Sequence, residues 1–392
     1  LRRPCLSVQC GRMVQPGSVV EDMILRKPLL AILIIVSMLL LIGSILQVQR
    51  ILLSPLEPIT ISAVGDSIGY KIRMEDLENL TEMTGKPDVF VFNLEGVLRR
   101  PGDLPLKCEG FPSVQSVLTS DQSFARYMKL APVTIANMAN NHVLECGAPG
   151  IEQTKNILSQ NGILSVGAGL NLSEACKPLR VQVKGWCIVF VSYDFVLTQL
   201  VSATSNGAGA ATLAGCQQNL LKIKSDNVDL LVVSIHYGTW SSEVTQDQMD
   251  LVIRLLDAGT DLVIGHSPHI PQAVMAKNGK LAFFSLGNFI FRPDYRMPPS
   301  AYMSVVPRIT FSRDRVYVSI HPVIIDYNGI PSPDHSNTTI RKIAQASQAF
   351  DTILEITGNT GQLSIARNTT STAEWSARLV QCRNKQHSHG TA

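Results

Sequence analysis

The sequence has little charge and no strong bias in its sign. Asp, Glu, Lys and Arg make up 17% of its 392 residues, and 34 basic against 31 acidic side chains leave a formal net charge of +3. So small an excess argues against a nucleic-acid binder, which usually carries a large one. Hydrophobic residues reach 45%, which excludes a wholly disordered chain. No two of the eight cysteines have CxxC spacing, so a zinc ribbon is not expected. A Walker A loop is missing, and the glycine-rich GAGAATLAG at 207–215 lacks the Lys-Ser/Thr that would hold phosphates. Ser67 follows Asp66 without a convincing triad, so serine catalysis is not expected. No internal repeat of 20–50 residues is visible.

The charge that is present is unevenly placed. Residues 1–50 hold six basic and two acidic side chains, and the other 342 residues hold 28 and 29, so the body carries a net −1. Residues 29–46 (LLAILIIVSMLLLIGSIL) form an uncharged 18-residue run, about the length needed to cross a bilayer as a helix. Five of the six basic residues precede it. The expectation is a single-pass signal anchor with residues 1–28 cytoplasmic and the main domain extracytoplasmic. A signal peptide or a buried core helix is the rival reading. Six cysteines lie beyond the run and allow three disulfides in fifteen connectivities. Cys187, inside WCIVFV, reads as a core residue.

After a linker at 47–58, apolar runs alternate with helical patterns. ITISAVG, DVFVFNLEG, PVTIANMANNH, VQVKGWCIVFVSYDF, DLLVVSIH, DLVIGH and LAFFSLGNFIF read as strands. Residues 151–162 and 246–258 read as helices ended by Gly162 and Gly259. Residues 303–326 read as a hairpin around SRDR, and 339–356 as a late helix. The alternation predicts one α/β domain over 59–330, a helical extension over 331–367 and a loose polar tail over 368–392.

Several strands stop at once on a metal-capable or acid–base residue. These are Asp66; Asn93 and Glu95; Asn137, Asn140, Asn141 and His142; His236; and His266 with His269. In open α/β sheets, ligands bind beyond the carboxyl ends of the strands. Only eight histidines occur, and four of them lie in these turns. Burying so many polar groups is costly unless they pair or bind a metal. Imidazole, carboxylate and amide oxygen without thiolate suit a divalent metal of the Mn, Fe, Zn or Mg type.

The motifs GDS (65–67), NLEG (93–96), ANNH (139–142), SIHYG (234–238), DAGTDLVIGHSPH (257–269) and NGKLAFFSLGNFIF (278–291) occur in this order. Together they resemble the CapA family of poly-gamma-glutamate synthesis proteins over about residues 59–292. The resemblance implies a fold similar to calcineurin-like metallophosphatases, a four-layer α-β-β-α sandwich. It implies Asp66 on a first metal, Glu95 as the bridging carboxylate, Asn141 and His236 on a second metal, and His266 and His269 as the last ligands. His142 becomes the general acid, next to Asn141, with Asn93, Asn140 and Asn288 orienting neighbours or substrate. Ile68 stands where the phosphatase pattern has a histidine, so the number of metals is left open.

The function implied is synthesis or export of an anionic polymer such as poly-gamma-glutamate. A membrane location, a separate ATP-dependent ligase and membrane subunits are the partners implied. The alternatives are a metal-dependent hydrolase of phosphoester or amide bonds and a non-catalytic polymer-binding module. Arg99, Arg100, Lys107 and Arg292 are the basic residues expected near the site.

Overall fold

Apolar runs placed between turns become strands buried on both faces, which is why they read as continuous hydrophobic stretches. The computed structural model describes residues 32, 34–44, 57–77, 80–100, 108, 117–225 and 228–367. The chain divides into two compact units, Leu1–Ser54 and Pro55–Ala392.

In the first unit, residues 34–44 are helical. These eleven described residues span about 16 Å, against a hydrocarbon core of about 30 Å. Among the described residues no helix is long and apolar enough to cross a membrane. The expected single-pass anchor, with its cytoplasmic N-terminus and extracytoplasmic domain, is corrected accordingly. Both ends of the 29–46 run lie outside the described residues.

The second unit is mixed α/β. In chain order its main strands are β1 (Ile59–Ser67), β2 (Val89–Leu94), β3 (Val133–Asn137), β4 (Ile163–Val166), β5 (Leu179–Val183), β6 (Trp186–Asp194), β7 (Leu230–His236), β8 (Leu262–His266), β9 (Val274–Lys277), β10 (Lys280–Phe283), β11 (Met303–Phe311), β12 (Arg315–Ile325), β13 (Pro331–Pro333), β14 (Glu355–Thr357) and β15 (Thr360–Ala366). Its longer helices are α1 (Gly147–Gln160), α2 (Leu213–Ser225), α3 (Gln246–Asp257) and α4 (Thr338–Ser347). One sheet runs β14-β15-β12-β11-β1-β2-β3-β4, with β13 beside β12, and a second runs β9-β10-β8-β7-β6-β5. β1 to β4 are mutually parallel, as are β6, β7, β8 and β10.

Side chains alternate across each strand, and the cores follow that alternation. Val89 and Val91 of β2 pack with Ile188, Val232 and Ile264 of the second sheet in one cluster. Phe90 and Phe92 point the other way and pack with Ile151 and Leu158 of α1. On the second sheet, Val233 and Val263 pack with Leu251, Val252, Leu255 and Leu256 of α3. Each such side chain, fully buried, contributes roughly 1.5–3 kcal/mol. The start of α3 is fixed by a capping box, in which Thr245 and Gln248 satisfy each other's backbone N–H.

Residues 331–367 differ from the expected helical extension. Only Thr338–Ser347 is α-helical, and β14 and β15 add to the edge of the large sheet. The period-2 pattern in TGQLSIA sends Leu363 and Ile365 towards the inter-sheet core. Disulfides join Cys108 to Cys146 and Cys176 to Cys216. Cys187 is buried as expected, but it is also disulfide-bonded.

Candidate metal centre

The parallel registers line up the polar strand ends. Asp66 is level with Asn93 and Asn93 with Asn137 on one sheet. Asp194 is level with His236 and His236 with His266 on the other. The two rows meet at one place. His236 Nε2 lies 3.4 Å, His269 Nε2 3.7 Å and His142 Nε2 3.8 Å from Glu95 Oε1. Asp66 lies beneath, 3.1 Å from His269 Nδ1 and 3.6 Å from His266 Nδ1. Asp66 and His266 are fully buried, and Glu95 and His236 are only 1% exposed.

Amides hold this cluster in place. Asn93 Nδ2 donates to Asp66 Oδ1 at 2.8 Å, and Asn137 and Asn140 donate to Asn93 Oδ1 at 3.0 and 3.2 Å. Asn140 also donates to Leu94 O at 2.8 Å and accepts from the His142 backbone N–H at 3.1 Å. Asn288 Oδ1 sits 2.8 Å from His269 Nδ1, while its Nδ2 donates to Ala301 O at 3.0 Å. All ten predicted site residues therefore lie in one region, with Asn141 lining the same cavity as Glu95, His142 and His269. That cavity measures about 1010 Å³.

Two backbone features make the arrangement possible. Ser267 and His269 both have positive φ, 93° and 57°, a conformation that costs energy in residues other than glycine. The turn they form delivers the Ser267 N–H to Asp66 Oδ2 at 3.2 Å. Gly65 passes so close to the loop after β10 that a Cβ would stand 1.8 Å from Gly287 O. This approach lets Asp66 N–H bond to Gly287 O at 3.0 Å, beside Asn288. Ser67 is fully buried and donates its hydroxyl to Gly65 O at 3.0 Å, which leaves it no nucleophilic role.

The electrostatics are set by burial and pairing together. Burial opposes ionisation of Asp66, but the hydrogen bond and charge of His269, with His266 and His236, hold it well below the usual carboxylate range. Burial also opposes charge on His236, yet Asp194 at its Nδ1 and the nearby Glu95 carboxylate push it up to about 10. His269 is raised to about 9 against burial by Glu95 and Asp66. His266 is lowered to about 4 because burial dominates. Asp194 is raised by burial, although His236 pulls it down.

Asp66, Glu95 and His269 present ligand atoms all within 4.8 Å of one another, a group able to hold a divalent metal. Glu95 Oε2, Asn141 Oδ1, His236 Nε2 and both ring nitrogens of His266 are buried without a hydrogen-bond partner. Each such orphan costs about 1–3 kcal/mol. A cation bound among them removes that cost, so the donor set fits a metal.

Three contributors escaped the strand-end reading. Asp194 places Oδ1 3.3 Å from His236 Nδ1. Glu145 makes a short contact with His142 Nδ1 and accepts from Leu118 N–H. Ser192 donates to Asn137. Asp194 ends its strand in WCIVFVSYD as Asp66 ends ISAVGD, so the same signal pointed to it. Nothing in the spacing singled out Glu145. Of the four expected basic residues, Arg292 lines the cavity, whereas Arg100 bonds to Gln160. Arg99 lies on a short strand outside the lining, and Lys107 is outside the described residues.

Comparison with known proteins places these motifs. The PGA biosynthesis protein CapA of Bacillus subtilis (strain 168) is 30% identical over 179 residues, covering 44% of this chain and 47% of that protein. A probable polyglutamine synthesis accessory protein of Mycobacterium tuberculosis (strain ATCC 25618 / H37Rv) is 27% identical over 228 residues, covering 52% and 55%. The chain thus spans about half the length of the curated relatives it matches. Among solved structures, a putative 5'-nucleotidase from Staphylococcus aureus aligns over 84% of this chain and 58% of its own, at 12% identity and a TM-score of 0.42. Residues 60–293, more than half of the sequence, match the model of the bacterial capsule synthesis protein PGA_cap family, and the chain belongs to that family.

Proposed function

We propose that the protein takes part in the synthesis or export of poly-gamma-glutamate or a similar anionic capsule polymer, as a metal-dependent hydrolase of that polymer. The family and the names of the relatives support the polymer. The observation that carries the chemistry is the set of buried, unpartnered donor atoms around Asp66, Glu95 and His269, open to a cavity. The proposed ligands are Asp66, Glu95, Asn141, His236, His266 and His269, with Mn, Fe, Zn or Mg as the metal class. The domain is read as a four-layer α-β-β-α sandwich of the calcineurin-like metallophosphatase type over about 59–330, a reading supported by the core shared between both sheets.

Held by Asp66, Glu95 and His269, a divalent cation would supply polarisation of the bond to be cleaved and a more acidic water. The chain's own residues do the rest. Asp194 holds His236 at Nδ1 and so fixes Nε2 towards Glu95. Asn288 and Asp66 hold His269 at Nδ1 in the same way. Glu145 holds His142 at Nδ1, leaving Nε2 on the cavity side to give a proton to the leaving group. Asn93 and Asn140 keep Asp66 and the Asn141-His142 turn in register.

The test is incubation of the purified protein with poly-gamma-glutamate and each candidate metal, followed by polymer length and free amine ends. Metal-dependent shortening, lost in His142→Ala, is expected. Polymer that binds but never shortens with any metal would rule out the hydrolase and leave a binding module.

A further inference from the structure

The mouth of the cavity carries charge that the metal group does not use. Glu95 faces three imidazoles. Asp294 grips Arg296 through two hydrogen bonds, 2.6 Å to Nε and 2.9 Å to Nη2. Lys71 and Arg292 line the same cavity, and neither makes an ion pair among the described residues. Both are exposed at its rim. Lys71 rests over the Tyr70 ring, 4.8 Å from its centroid, in a turn where its φ is +58°.

The two cations leave neighbouring, hydrogen-bonded stretches of backbone. Ile68 N–H donates to Ile290 O at 2.7 Å, and Phe289 N–H to Asp66 O at 2.9 Å. Lys71 follows the first stretch by three residues, and Arg292 follows the second by two. The same stretches carry Asp66 and Asn288, and the Phe291 ring packs 5.0 Å from the His269 ring. The backbone positions of the cations are thus tied to the metal group. The rest of the body is near neutral, so this local +2 stands out as a point of attraction for anions.

We propose that Lys71 and Arg292 form a two-point carboxylate subsite that grips side chains of an acidic polymer flanking the bond held at the metal group. The subsite rests on the proposed role in handling an anionic polymer and adds where that polymer is held. Arg can bind a carboxylate through two parallel hydrogen bonds, whereas Lys offers a flexible point charge. Arg296, already neutralised by Asp294, lies outside the subsite.

The test uses the full chain and fluorescently labelled poly-gamma-glutamate, with anisotropy as the readout. Lys71→Gln and Arg292→Gln should each weaken binding about tenfold, and the double variant more, as expected for loss of a charge-assisted contact. Asp294→Asn combined with Arg296→Gln, which removes the neutral pair together, should bind like wild type. Metal content by elemental analysis should be unchanged in all of these variants, which separates loss of the subsite from loss of the metal centre. A double variant that binds like wild type overturns the subsite, and so does a wild type that binds no polymer. Displacement by inorganic phosphate at the same concentration of charge as free glutamate oligomer would make it a phosphate site and overturn the carboxylate assignment. Metal-dependent cleavage that persists in a double variant with weakened binding would support the subsite as holding rather than reacting. Weakened binding with no cleavage even in the wild type would sink the hydrolase and keep the subsite.

Discussion

Asp194 Oδ1 lies 3.3 Å from Nδ1 of His236, the ring nitrogen opposite the one that faces Glu95 at 3.4 Å. A carboxylate behind an imidazole fixes which nitrogen points forward and raises its basicity. Asp194→Asn keeps the shape and removes the charge. It should lower metal affinity roughly 10–100-fold, read by competition with a chelator, while the far-UV spectrum stays the same. Unchanged affinity would mean that His236 does not contact the metal.

His142 and Glu145 form a second buried pair, with Glu145 anchored by the Leu118 N–H. His142→Ala should lower kcat about 100-fold or more, the range for loss of a general acid, with metal content retained. Glu145→Gln should give a smaller loss in kcat with KM little changed. Equal loss of metal in either variant would move His142 from proton donor to ligand.

The chelated, metal-free protein should have a particular pH profile. His236 and His269 have folded pKa values raised to about 10 and about 9. Their contribution to stability is complete below about pH 6.5, the unfolded value, and is lost as the pH rises through 9 and 10. On the acid side, His266 is lowered to about 4 and Asp66 lies below its usual range. Their contributions are present above the unfolded values and fade as the pH falls. Thermal melting from pH 3 to 11 should show both losses without metal. With metal bound, the alkaline loss should shrink, because the imidazoles then carry the metal in place of protons. An identical alkaline limb in both forms would contradict metal ligation by these histidines.

The Cys176–Cys216 bridge closes a loop with a sequence separation of 40. In the chain-entropy view it restricts the unfolded state by about 4 kcal/mol. Cys176→Ser with Cys216→Ser should lower the unfolding free energy in urea by an amount of that order. The metal group should be retained, since neither cysteine touches it. Loss of metal at native stability would show that the bridged segments before β5 and between β6 and β7 shape the site.

Strand ends were legible because chemistry and periodicity agree there. ISAVGD, VFVFNLEG and VVSIH each stop an apolar run on a polar residue, and parallel register levels Asp66 with Asn93 on one sheet and His236 with His266 on the other. The hairpin around SRDR was legible for the same reason, with Phe311 paired to Val316. Glu145 was hidden because its role depends on a turn that brings it beneath His142, and on a backbone donor from Leu118 far along the chain. β14 and β15 were hidden because Glu355–Thr357 is an exposed edge with no inward alternation. Of the 29–46 run, residues 34–44 are described as helical, and among the described residues no helix is long and apolar enough to cross a membrane.

The strand-end histidines are placed to hold a metal. Elemental analysis of the purified protein, beside His236→Ala with His269→Ala, tests it most directly. About one or two equivalents of a divalent metal, lost in the double variant, is the predicted result. A folded wild type that holds no metal even after reloading would contradict it.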